Sequence, residues 1–303
     1  MVDTPTITKF DPAAAATRAR RGVIVALYGA TKTGKTHFLT RAPRPLYIVF
    51  MDPNANLDAH LLKAHTEGLS YDIETLVVPA KEYDAISQQY AESVVTEIEK
   101  FARMARMKAE AAVAAGQEPG TFAVDGMRIL KGYYEKAILG ESATLGFRPK
   151  KGSRAPSPFE YSQSNDALRD LIQGFSGGPL DMLMTWEGRP EWVDTVDDTG
   201  RKSARKTGNY RTTQPDAIPF AVQAQIQTTM AVRTKVENNE AVKYVEPEMI
   251  FEWNSFNKDL YYRRMPAMDW SMVKGVLLGT VPNAEDVLIP RAEELVRVQG
   301  VED

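Results

Sequence analysis

"GVIVALYGATKTGKTHFLTRA", residues 22–42, is the stretch on which the fold turns. Residues 22–28 form a short unbroken apolar run rich in β-branched side chains. Such a run reads as a strand buried on both faces, as in parallel sheets. Residues 36–42 read as a helix stopped by Pro43 and Pro45. Between them, Gly29, Gly34, Lys35 and Thr36 fit the pattern G-x-x-x-x-G-K-[ST]. Glycine permits backbone angles that turn successive N–H groups inward around phosphate oxygens. The helix that follows points its first N–H groups at the same anion. Lys35 supplies a cation for the β and γ phosphates, and the Thr36 hydroxyl supplies an oxygen for Mg²⁺. The alternative is an accidental glycine turn, but the strand–loop–helix setting favours the phosphate reading. The residues expected to line a nucleotide are Gly29, Ala30, Thr31, Lys32, Thr33, Gly34, Lys35, Thr36 and His37.

Outward from this stretch, strand and helix alternate. Strands are expected at 45–52, 73–79, 121–127 and 180–186, and helices at 83–115, 128–139 and 161–175. This alternation predicts a parallel α/β sheet flanked by helices. Past Trp186 the pattern changes. Residues 191–213 read as a charged hairpin or a long loop, and 226–236, 241–247 and 248–254 as strands with no room for helices between them. Antiparallel strands are therefore expected toward the C-terminus. Residues 260–266 suggest an edge strand, and two helices are expected after it. The predicted organisation is a flexible arm over 1–20, a core over 21–265 and a helical extension over 266–303.

The chain has 303 residues, 43% hydrophobic and 25% charged, with a net charge of −3. That composition supports a sizeable core and gives no whole-chain attraction to nucleic acid, which would need local basic patches. The absence of cysteine excludes disulfides, thiolate metal sites and cysteine nucleophiles. No apolar run approaches the roughly 18 residues of a membrane span, and the first twenty residues lack a secretion signal. A soluble, cytoplasmic protein is expected.

A phosphate loop of this kind requires an acid at the end of a neighbouring strand to hold Mg²⁺. Asp125, between an apolar strand and Gly126, is the candidate metal ligand beside Thr36; a helix cap is its plain alternative. Asp52 could orient the attacking water, or simply form a turn in "MDPN". Glu187 follows the strand "LDMLMTW" and is placed to sense the γ phosphate, or is merely exposed. Lys35, Asp52 and Glu187 are thus the candidate catalytic residues. His37, His60 and His65 show no metal-site spacing.

With these segments in order, the chain resembles the RecA-like P-loop ATPases, and more narrowly the phage-encoded Sak-type single-strand annealing ATPases. The segments carrying the resemblance are "VIVALYGATKTGKT", "RPLYIVFMDPNANLD", "TFAVDGM" and "LDMLMTWEG", within roughly residues 21–260. The resemblance implies ATP and Mg²⁺ as cofactors, self-association into a homo-oligomer, and single-stranded DNA as partner. A phage or host single-strand-binding protein is a further partner it suggests. The family's catalytic glutamate falls on Asn54, which can orient water but cannot take its proton. The family's two DNA-facing loops fall on segments offering Arg148, Lys150, Lys151 and Arg154, and then Arg201, Lys202, Arg205, Lys206 and Arg211. Basic side chains neutralise phosphates, and the nearby Trp192 and Tyr210 could stack on bases. Solvated loops are the competing reading, and Asp194, Asp197 and Asp198 count against DNA.

The function these readings favour is ATP-dependent DNA binding in recombination or strand annealing, with ATP hydrolysis. The alternatives are a nucleotide-driven assembly or motor ATPase without DNA contact, and a nucleotide switch that hydrolyses poorly.

Overall fold

A computed structural model describes residues 21–51, 56–69, 72–79, 81–140, 158–196, 202–215, 218–237, 240–266, 269–281 and 286–289. Nine strands form one sheet: β1 (Ile24–Gly29), β2 (Leu46–Phe50), β3 (Ile73–Val77), β4 (Thr121–Asp125), β5 (Asp181–Val196), β6 (Lys202–Thr212), β7 (Ala224–Glu237), β8 (Glu240–Asn254) and β9 (Arg264–Pro266). The described helices are α1 (Lys35–Leu39), α2 (Leu57–Thr66), α3 (Gln88–Ala114), α4 (Met127–Leu139), α5 (Pro158–Gln173) and α6 (Trp270–Leu278). The spatial order is β3-β2-β4-β5-β1-β7-β8-β9, with β6 paired to β5. Contacts from β3 through to β7 are parallel. β6, β8 and β9 join antiparallel. The expected α/β class, a mainly parallel sheet flanked by helices with antiparallel strands added late in the chain, is the class observed.

Alternation along β1 explains its unbroken hydrophobicity. Ile24, Ala26 and Tyr28 enter one core with α3, α4 and α5, while Val25 and Leu27 enter a second with α1, α2 and α6. Both faces of the strand are covered, so no position tolerates a charge. Ser87 starts α3, its hydroxyl accepting the Tyr90 N–H at 3.3 Å. Ala91, Ile98, Ala102, Ala105 and Ala109 form the stripe it lays on the sheet. Small side chains there let the helix approach closely. Phe101 and Phe175 flank Phe122, their ring centroids 5.9 and 4.8 Å from its own.

Asp181 locks the lower edge. Its buried carboxylate accepts from the Val23 N–H at 2.9 Å, the Trp270 indole at 2.7 Å and the Lys274 ammonium at 2.7 Å. A buried carboxylate requires such pairing. Trp270, Val273, Val276 and Leu277 of α6 complete the second core. Trp186 and Trp270 are both core residues and Trp253 packs at the core's margin.

Several expectations sharpen. Residues 188–196 and 202–212 pair as two antiparallel strands, the hairpin alternative, with β5 running on ten residues past Trp186 to Val196. The two strands expected over 241–254 are one continuous strand, β8. Helix α2 had no counterpart in the sequence reading. The 1–20 arm, the basic segment 148–154 and, apart from 286–289, the last expected helix over 284–299 lie outside the described residues. No described helix is long and apolar enough to cross a membrane.

Candidate nucleotide-binding site

The loop Gly29–Thr36 connects the C-terminal end of β1 to α1, at the edge where open parallel sheets receive ligands. Gly29 has no room for a side chain. A Cβ there would stand 2.2 Å from the Thr228 carbonyl oxygen and 2.5 Å from its hydroxyl. Gly34 adopts φ of 86°, the left-handed region that favours glycine, and no side chain caps the first N–H groups of α1. Lys32 also takes a positive φ, 67°. The Gly29→Ala variant is expected to cost about 1–3 kcal/mol through overpacking, lowering Tm by several degrees. An unchanged melting curve would contradict the close β1–β7 approach.

Lys35, Thr36 and Asp125 come together although 89 residues separate the hydroxyl from the carboxylate. The Lys35 ammonium curls into the loop, donating to the Gly29 carbonyl at 2.9 Å and the Ala30 carbonyl at 2.7 Å. The Thr36 hydroxyl donates to Asp125 Oδ2 at 2.6 Å. Thr185 on β5 donates to Asp125 Oδ1 at 2.6 Å and itself accepts from the Gly126 N–H at 2.9 Å. Asp125, only 2% exposed, is thus aimed from two sides. A hydroxyl and a carboxylate 2.6 Å apart are hard oxygen donors, and this donor set suits Mg²⁺. The glycine cradle and the ammonium suit the phosphates such an ion accompanies.

Glu187 ends the core part of β5, in register with Gly29 on β1. Its exposed carboxylate is ion-paired with Arg128, near the start of α4. Its main chain is held too: the Thr213 N–H donates to its carbonyl at 3.0 Å. Asp52 and Asn54 lie outside the described residues.

His37 follows Thr36 on α1. Burial, then the nearby Arg41 guanidinium, lower its pKa to about 4, so it is neutral at neutral pH. Arg41 can only donate, so Nδ1 of His37, 2.8 Å from Arg41 Nη1, accepts and the proton sits on Nε2. Arg41 is in turn paired with Glu67 at 2.6 Å. His60 on α2 meets the His37 ring edge-on at 6.1 Å between centroids, and burial lowers its pKa as well. Neither His37 nor His60 belongs to a metal cluster among the described residues.

Two antiparallel ribbons rise from this edge on either side of β1. The β7–β8 ribbon is tied to the loop, its Thr228 hydroxyl 2.7 Å from that of Thr33. Alternation then puts Met230 and Val232 on the same face as Thr228, opposite Pro247 and Val245. A Cβ built on Gly34 would lie 3.9 Å from Pro247 Cβ. An exposed apolar strip therefore borders the loop, with Val232 62% exposed and Val245 56%. Sequence reading found these strands but not their position; the Thr-Met-Val alternation without helical partners was the available signal.

The β5–β6 ribbon carries the second basic segment. Lys202, Arg205 and Lys206 lie on β6, with their side chains outside the description, and Arg201 lies outside the described residues. Arg211 is paired with Glu191 at 2.5 Å. Trp192 is 54% exposed. Arg148, Lys150, Lys151 and Arg154 lie outside the described residues.

No family model matches the chain, and no curated protein matches it. Among solved structures, a KaiC-like protein from the hyperthermophilic archaeon Pyrococcus horikoshii is similar at 12% identity, over 81% of this chain and 85% of that one. Its TM-score is 0.36, and a likeness so distant carries no argument about family or chemistry.

Proposed function

We propose that the chain binds Mg·ATP at the Gly29–Thr36 loop and hydrolyses it, and that nucleotide binding governs contact with single-stranded DNA. The observation that carries the nucleotide reading is the convergence of Lys35, Thr36 and Asp125 at one strand edge. Lys35 holds the β and γ phosphates, exchanging its two carbonyl partners for phosphate oxygens. Thr36 and Asp125 hold the magnesium ion, which when bound offsets charge on the transferred phosphoryl group. The loop's N–H groups orient the triphosphate. The exposed strip from Met230 to Pro247 gives an apolar wall for the base, with neutral His37 and His60 on the α2 side.

The DNA part rests on the β5–β6 ribbon, which brings Lys202, Arg205, Lys206 and Trp192 onto one two-stranded element rising from the nucleotide edge. Arg211, already paired with Glu191, contributes less charge. A homo-oligomer would let one ribbon reach a neighbour's nucleotide. The test is a labelled oligonucleotide titrated at several salt concentrations. Four neutralised phosphates predict a fall in affinity of about 50-fold between roughly 50 and 200 mM salt. Replacing Arg201, Lys202, Arg205 and Lys206 with glutamine should flatten that slope. Equal binding by this variant would remove the ribbon from the DNA site.

A nucleotide switch with slow hydrolysis is the second reading, favoured by Asn54 standing where the resemblance places a glutamate. Turnover measured with and without single-stranded DNA separates the two.

A further inference from the structure

The ion pair between Arg128 and Glu187 occupies a place that a structural surface contact does not need. Glu187 is in register with Gly29, the first residue of the phosphate loop. Arg128 stands three residues past Asp125, whose carboxylate is bonded to Thr36 at 2.6 Å. A guanidinium bonded to Glu187 is therefore held near the C-terminal ends of β4 and β5, the sheet edge from which the loop leaves β1. Both side chains are about half exposed, 48% and 51%. An exposed pair of this kind changes an equilibrium by no more than about fivefold. A charge-assisted bond from arginine to a phosphate changes it by about tenfold or more. The phosphate should win the competition.

We infer that Arg128 is the residue that distinguishes a nucleoside triphosphate from a diphosphate, and that Glu187 holds it in readiness until a γ phosphate draws it away. The inference rests on the nucleotide reading above. It resolves a difficulty with Glu187, whose own carboxylate would repel a γ phosphate. Glu187 acts instead as a positioning residue through Arg128. Its backbone is pinned for that task, since its carbonyl accepts from both the N–H and the hydroxyl of Thr213, at 3.0 and 3.1 Å. Gly188 beside it packs against Gly29, where an added Cβ would stand 2.8 Å from the Gly29 carbonyl carbon. The carboxylate therefore has a fixed base at the root of the β5–β6 ribbon.

The test compares equilibrium affinities for Mg·ATP and Mg·ADP in the full chain, in Arg128→Ala and in Glu187→Gln. Arg128→Ala should lower ATP affinity about tenfold and leave ADP affinity within twofold. Glu187→Gln should move the ATP-to-ADP preference the opposite way, upward by roughly threefold to fivefold, because the competitor for Arg128 is weakened. A merely structural pair would give both variants the same sign. Arg128→Lys should restore part of the preference. If Arg128→Ala weakens both nucleotides equally or neither, this inference is overturned while the nucleotide site stands. A fallen or unchanged preference in Glu187→Gln overturns the holding role. If the unaltered chain binds neither nucleotide, the underlying reading fails and takes this one with it.

Discussion

Lys35→Ala is expected to lower affinity for Mg·ATP by at least about 100-fold and to abolish turnover. The ammonium makes two hydrogen bonds to loop carbonyls. With phosphates present, the neutral carbonyl acceptors give way to anionic oxygens, and each ammonium–phosphate bond contributes about 1.5–3 kcal/mol. Two of them give roughly 3 kcal/mol or more, which is the 100-fold. The fold should survive, because the lysine belongs to neither hydrophobic core. A fluorescent-nucleotide titration beside a melting curve checks both halves. Retained binding in a folded variant would show that the loop has another purpose.

The second large effect is expected at Asp125. Asp125→Asn keeps the shape and a carbonyl oxygen for the Thr185 hydroxyl, but loses the negative charge that holds a divalent ion. Turnover should fall by at least about 100-fold, since metal stabilisation of transition-state charge contributes several kcal/mol. ADP binding without metal should stay within a few-fold. Asp125→Ala should also lose stability, by about 1–3 kcal/mol, because the Thr36 and Thr185 hydroxyls lose their acceptor. The diagnostic readout is turnover against Mg²⁺ concentration. An asparagine variant with unchanged magnesium dependence would place the metal elsewhere.

What the sequence made legible was local. The run from Gly22 to Ala42 states its strand, loop and helix because burial on both faces and the glycine spacing are written consecutively. Asp125 was legible for the same reason, an acid ending an apolar strand just before glycine. Helix α2 escaped because its hydrophobic contrast is slight, with only Leu57 and Ala64 buried. Its one clear signal was Asn56, whose side chain accepts the Ala59 N–H at 3.0 Å as a cap. The continuation of β5 past Trp186 escaped because a two-stranded ribbon beyond the sheet buries little, so alternation no longer reports a core. Pro247 divided β8 in the reading, although the strand runs straight through it. Long-range pairs were not legible at all. Thr33 and Thr228 are 195 residues apart, and only the parallel pairing of β1 with β7 brings them together. Arg128 gave no local sign of its role, because its partner Glu187 lies 59 residues away on another strand.

The most direct test is a crystal structure of the chain with a non-hydrolysable ATP analogue and Mn²⁺ in place of Mg²⁺. Phosphates should be cradled by the Gly29–Thr36 backbone with Lys35 turned onto them. An anomalous manganese peak is also expected within bonding distance of the Thr36 hydroxyl, on the side facing Asp125. A well-ordered structure at saturating analogue, with the loop still closed on Lys35 and the metal absent or bound elsewhere, would contradict the nucleotide reading.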